Sequence, residues 1–338
     1  MSRDIVTVRG IGRAAKAAGL TGLAFAVFGL GHDGIASSAA AAAKPTATAP
    51  GGMASATTAK TAAPKLGYKA TVESWRKERE TDLRSEDGWL TVAGLFWLKE
   101  GANRFGTDPG GDIVFPAGTA PAKAGTFTRH GDKTTVRAEP GVPLKHDGKA
   151  VTTMEVHPDQ PGPPDKLTLN SLTMFVIQRG DRYGIRLKDK ASRKRAEFPG
   201  LQWFPIQESY RVVADWVPYD PPRKISIANV LGQTAESPCP GYASFTLGGE
   251  KLRLEPAAEP GDKEYSFILR DGTSGKQTYG AGRFLDTDAP KDGKIVLDFN
   301  EAYSPPCAFT EFATCPLPPR QNQLAVRIEA GEKFTAHH

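Results

Sequence analysis

Cysteine is scarce in this chain: three residues in 338, Cys239, Cys307 and Cys315. So few thiols exclude a small fold stapled by many disulfides, and a chain this long buries a core without staples. A structural zinc site is not indicated either, because Cys307 and Cys315 stand eight residues apart with no histidine near them. Histidine is nearly as thin. Of six, His32 lies in the leader and His337 and His338 end the chain, which leaves His130, His146 and His157 in polar, loop-rich stretches. The chain has no G-x-S-x-G elbow, no H-E-x-x-H pair and no Gly-rich phosphate loop. No cofactor or metal is therefore expected. A large excess of one charge is missing as well. The formal charge is +5, and residues 1–43 contribute +2 of it. Its cations are scattered apart from a cluster near residue 190, so nucleic acid is not an expected partner.

No apolar run reaches the ~20 residues a membrane span needs. The longest near the start, Ala17–Leu30, is interrupted by Gly19, Gly22 and Gly29. Four cations precede it and an alanine tract, Ala39–Ala43, follows. That order reads as a three-part secretory signal peptide over residues 1–43, with a retained anchor as the alternative. The expected location is secreted or extracytoplasmic in the cell envelope, with no stable membrane span after cleavage. Residues 44–67 are Ala, Thr, Pro and Gly with hardly an apolar anchor, and read as a flexible tether. In an oxidising compartment Cys307 and Cys315 are expected to close a disulfide, leaving Cys239 odd.

What the chain has in quantity is punctuation: 36 glycines and 27 prolines. Long helices do not tolerate so many breakers. Only Thr71–Glu86 is rich in helix formers, with Val72, Trp75, Arg79 and Leu83 near one face. Residues 88–101 (GWLTVAGLFWLKEG) are apolar at nearly every position and predict a buried strand or strand pair. Beyond them, runs of four to eight residues alternate with Gly, Pro, Asp and Asn clusters. Such runs include Gly125–His130, Leu172–Arg179, Arg211–Tyr219, Lys224–Ala228, Glu264–Leu269, Tyr279–Leu285, Lys294–Phe299 and Ala325–Glu329. The expected fold is all-β with one N-terminal helix, an antiparallel barrel or sandwich. Two fused β units are expected, 68–205 and 206–335, the second carrying the candidate site.

Several long segments occur in one order: GWLTVAGLFWLKEGANRFG, RGDRYGIRLKD, RDGTSGKQTYGAGRFL, LDFNEAYSPPCAF, TCPLPPRQNQL and IEAGEK. Together they resemble the bacterial domain-of-unknown-function family 1684, over roughly residues 70–334. That resemblance implies no particular activity. One departure is Ser304, where the family resembles N-P-P-C.

Residues 271–319 gather the groups best suited to a site. Asp271, Thr273 and Ser274 form a turn whose hydroxyls and amides either bind an anion or simply close a hairpin. Alternation on a strand places Tyr279 and Arg283 on one face. Arg283 then either receives an anionic ligand or pairs internally with Asp298 on the next strand. Asp298 and Asn300 share a face, Tyr303 follows, and Pro305-Pro306 stiffens the loop before Cys307. These residues favour a binding protein for a small polar or anionic ligand. A secreted hydrolase using Asp271 or Asp298 with Ser274, and a structural cell-envelope module, are the alternatives. On the ligand reading, Arg283→Ala leaves the domain folded.

Overall fold

The computed structural model describes residues 67–334. The leader and nearly all of the tether expected from sequence lie outside the described residues. Helix α1, Tyr68–Arg84, stops at Ser85, whose amide and hydroxyl both bond back to the Asp82 carbonyl. Its Val72, Arg79 and Leu83 are buried. Although first in order, α1 docks on residues far along the chain. The Tyr68 hydroxyl donates to Asp298 at 3.1 Å, Arg76 reaches the carbonyls of Phe204 and Asn300, and Arg79 donates to the Ser304 carbonyl at 2.9 Å. Among the described residues no helix is long and apolar enough to cross a membrane.

The rest is mostly strand. A six-stranded sheet runs from Val92–Trp97 through Arg182–Asp189, Leu172–Arg179 and Leu167–Leu169 to two short strands at Lys145–His146 and Lys149–Ala150. A five-stranded sheet is built from Ile113–Val114, Gly101–Gly106, Gly125–His130, Lys133–Ala138 and Thr153–Val156. Its first pair is parallel and its other pairs antiparallel. These two sheets share one apolar core, including Phe105, Phe127, Val136, Met174, Ile185 and Leu187. Alternation puts such residues inward from both sheets, as in a sandwich.

Farther along the chain, a four-stranded sheet holds Glu250–Leu254, Thr234–Leu247, Arg211–Ala228 and Lys294–Asp298. The hairpin Glu264–Leu269 with Arg283–Asp288 packs on it through Phe245, Phe267, Leu285, Leu297 and Phe299. Trp203 and Gln202 pair with Glu332 and Lys333. Another apolar cluster, with Ile225, Ile227, Ile268, Phe284, Tyr303 and Cys315, receives Trp75 of α1 and Trp89. Most neighbouring strands are antiparallel, and among the described residues no sheet closes into a barrel.

Three sequence expectations need correction. Arg211–Tyr219 and Lys224–Ala228 are one strand, Arg211–Ala228, whose register shifts between Pro218 and Arg223. Tyr279–Gly282 is turn, and the strand starts only at Arg283. Gly282 sits at φ +105°, a conformation L side chains rarely adopt, and a Cβ there would meet the Leu269 carbonyl oxygen at 2.4 Å. Ala325–Glu329 is not a strand; Val326 and Ile328 offer their carbonyls to Gly272 and Arg283 instead.

Candidate functional site

The residues singled out in 271–303 fall into four separate groupings. In the first, Asp271 and Arg283 meet at 2.6 Å with both side chains wholly buried. Arg283 also donates to the Ile328 carbonyl at 3.0 Å and to the Ala330 carbonyl. The other Asp271 oxygen accepts from the Thr273 amide and hydroxyl, each at 2.6 Å. The Ser274 hydroxyl accepts from the Asp271 amide. This is the internal reading of Arg283, but with a different mate from the one expected. The Arg283–Asp298 pairing is overturned, because turn 271–275 folds its own carboxylate under the guanidinium.

In the second grouping Asp298 caps the short turn Phe299–Glu301, accepting from the Asn300 amide. It also accepts from Tyr68, and Arg211 stands 3.7 Å away. Asn300, fully buried, donates to the Tyr68 hydroxyl and the Gln207 carbonyl and accepts from the Gln207 amide. In the third, Tyr303 donates to Asp286 at 2.7 Å, lies beneath the Arg79 guanidinium, and is buried with its hydroxyl pKa raised well above the ordinary value. Burial is the main cause, and the Asp286 carboxylate adds to it. These groups are consumed in holding the fold.

Tyr279 belongs to the fourth, which has a different character. Its hydroxyl donates to the Cys307 carbonyl at 3.0 Å. The Cys307 amide in turn donates to Cys315 Sγ at 3.2 Å. All three cysteines are free thiols, so the expected Cys307–Cys315 disulfide is not formed. The Cys315 sulfur instead lies beside the Cys307 backbone. Cys315 lowers the pKa of Cys307, burial opposes this, and the Tyr279 hydroxyl adds to the lowering. The Cys315 pKa is raised, first by Cys307 and then by burial. Cys239 sits apart, buried, and pushed up to about 12 by desolvation.

Segment 304–315 is gripped from the earlier sheets. Arg179 donates to the Thr314 hydroxyl at 3.0 Å and ion-pairs with Asp159 at 2.9 Å. Arg186 is 4% exposed, stacks over Trp89 with its guanidinium 5.1 Å from the ring, and makes one long bond, 3.4 Å, to the Phe312 carbonyl. Its Nε is buried with no partner, and among the described residues no carboxylate lies at ion-pair distance. Desolvation and the neighbouring Arg179 bring its pKa down to about 10, so it stays cationic at neutral pH. From sequence, Arg186 reads as part of a solvated hairpin arm.

Lys188, two residues on and on the same face, is held down to about 8, by burial first, with Asp87 opposing and Lys166 and Arg186 adding to the drop. Its ordinary value is 10.5. The unfolded chain therefore keeps a proton that the folded protein releases, and stability should rise as pH climbs from about 8 to 10.5. Urea unfolding of wild type and Lys188→Met across that window checks this. The difference should move in favour of wild type with rising pH, and a constant difference would refute it.

Residues 196–333 match the model of a family described as a protein of unknown function, DUF1684. The match covers the later part of the span over which the resemblance was read. Among solved structures, an uncharacterized protein of Haloarcula marismortui, determined by solution NMR, is 33% identical in sequence. The aligned region covers 43% of this chain and 82% of that one, with a TM-score of 0.37, too low to carry an argument about fold. No curated protein matches the chain.

Proposed function

We propose that this chain, its residues 196–333 in a family of unknown function, binds a small carboxylate- or phosphate-bearing molecule beside Arg186, outside the cytosol. The observation that carries the reading is a buried guanidinium with no counter-charge at ion-pair distance. Buried charges are ordinarily paired, and leaving one unpaired is costly. A fold that retains such a group has a place for an anion. Lys188 adds positive charge nearby, the Arg179 charge is offset by its partner Asp159, and the planar guanidinium suits a carboxylate or phosphate fork. The segment facing Arg186 is not sealed: Cys307, Phe309 and Phe312 are each partly exposed and Glu311 is exposed. The ligand class is the one expected from sequence, but the site moves from Arg283 to Arg186. The hydrolase alternative is not favoured, since Asp271 is spent on Arg283 and Thr273, and Asp298 on Tyr68 and Asn300. The export reading rests on the leader pattern in residues 1–43.

Protein recovered from medium or envelope should begin beyond residue 43; a retained leader there would favour an anchor, and protein confined to the cytosol would sink the export reading alone. On that protein, inorganic phosphate or succinate should raise Tm above chloride of matched ionic strength. Ligand at a hundred times its Kd contributes about 2.7 kcal/mol. Arg186→Met should remove the response, whereas Arg182→Met, at an exposed position stacked on Trp97, should keep it. Equal Tm with phosphate, succinate and chloride, or an undiminished response in Arg186→Met, would refute the site.

A further inference from the structure

Cys307 and Cys315 have a property that a structural thiol pair does not need. The Cys315 sulfur lies 3.2 Å from the Cys307 backbone amide, both thiols are free, and the two residues differ in environment. Cys307 is partly exposed, whereas Cys315 is only 5% exposed. Cys307 is the middle residue of the short 3-10 turn Pro306–Ala308, whose start Pro305 and Pro306 stiffen. Cys315 is anchored by its carbonyl, which accepts from the Val230 amide at 3.0 Å, and by the neighbouring Thr314, held by Arg179. Both ends of segment 307–315 are thus pinned, with the Cys315 sulfur against the Cys307 amide.

We infer that Cys307 and Cys315 form a reactive dithiol that exchanges with small disulfides, Cys307 attacking and Cys315 resolving. The Cys307 thiolate attacks one sulfur of R–S–S–R. The S–S bond breaks, Cys307–S–S–R forms, and RS⁻ leaves. Cys315, giving its proton to that departing thiolate, then attacks the Cys307 sulfur. The intramolecular S–S bond forms and the second RS⁻ leaves, taking up the proton Cys307 had lost to solvent. Two thiols of the protein are oxidised and one external disulfide is reduced to two thiols. The chemistry needs an accessible attacking thiol and a shielded second thiol close by; Cys307 is partly exposed, and Cys315 is buried with its sulfur against the Cys307 amide. The lowered pKa of Cys307 and the raised pKa of Cys315 agree with those roles. Arg186 acts electrostatically on Cys315, favouring its thiolate. That guanidinium makes a carboxylate-bearing disulfide the preferred substrate class. Only this charge preference rests on the anion site proposed above; the exchange itself does not.

The test uses full-length reduced protein and the dicarboxylate disulfide dithiobis(nitrobenzoate). Wild type should release two equivalents of the coloured thiol in one fast phase. Cleavage after Glu311, which lies between the two cysteines, should leave the two pieces joined until a reductant is added. Cys315→Ser should release one equivalent and retain a stable mixed disulfide. Cys307→Ser should react at least about tenfold more slowly. The peptide result needs no variant, so a misfolded mutant does not blunt it. Pieces that separate without reductant, or a Cys307→Ser protein as fast as wild type, would overturn the dithiol. If the exchange holds but Arg186→Met leaves the ratio of dithiobis(nitrobenzoate) to cystamine rates unchanged, the charge preference alone is overturned.

Discussion

Replacing Asp271 with alanine should cost the protein about 3 to 5 kcal/mol of folding stability, the range for breaking a buried ion pair from one side. The argument starts from solvent exclusion. Both side chains of the Asp271–Arg283 pair are wholly buried, and the contact is 2.6 Å. Without Asp271 the Arg283 guanidinium keeps two backbone carbonyls, those of Ile328 and Ala330, but no counter-charge at ion-pair distance. The Thr273 amide and hydroxyl lose their acceptor too. Arg283→Met should be comparably harmful, because it strands the Asp271 carboxylate. Burial thus reverses the expectation, drawn from sequence, that Arg283→Ala leaves the domain folded. The double variant Asp271→Leu with Arg283→Met should recover the part of the loss due to the stranded charge, since an apolar pair needs no desolvation of charge, while Thr273 and the Ile328 and Ala330 carbonyls stay without their partners. Urea unfolding of wild type, Asp271→Leu, Arg283→Met and the double variant closes the cycle. A single-variant loss below about 1 kcal/mol would mean the pair behaves as an exposed one does.

This pair also shows where sequence reasoning reached and where it stopped. Gly125–His130, Leu172–Arg179 and Glu264–Leu269 are strands with the bounds expected. Each is a short apolar or alternating run between turn residues, and local signals suffice for that. Arg211–Ala228 was split because Pro218, Pro221 and Pro222 normally end a strand; here the register shift absorbs them. The importance of Arg283 was legible from its residue type and neighbouring glycines. Its partner was not, because choosing between Asp271 and Asp298 depends on how turn 271–275 folds back. Arg186 was missed for a related reason. Tyr183, Ile185 and Leu187 supply an inward apolar face, so alternation sends Arg186 outward, ordinarily to water. In this fold the outward face is covered by segment 304–315, and residues 183–187 are buried on both faces. Alternation says which residues share a face; it cannot say that a distant loop covers the other one.

Asn300→Ala should lower stability by about 2 to 4 kcal/mol, since each buried polar group left without a partner costs ~1–3 kcal/mol. Asn300 is fully buried and joins three parts of the chain that are otherwise far apart. Its amide nitrogen donates to the Tyr68 hydroxyl at 2.9 Å and the Gln207 carbonyl at 2.8 Å, and its oxygen accepts from the Gln207 amide at 3.0 Å. Alanine leaves both Gln207 backbone groups without this partner and frees Tyr68 from one of its two anchors. Because Tyr68 opens α1, the loss should be felt first in that helix. Its amides should lose hydrogen-exchange protection before those of Glu264–Leu269 do. Asn300→Asp separates this role from ligand binding. It keeps the acceptor but sets a second carboxylate against Asp298, whose Oδ1 lies 3.1 Å from the Asn300 nitrogen. Like charges so close repel, so the aspartate variant should be destabilised as well, and more so at pH 7 than at pH 4. A stability change under about 0.5 kcal/mol in both variants, the range of ordinary surface substitutions, would show that Asn300 is not a structural clamp and would return it to the pool of ligand-facing residues.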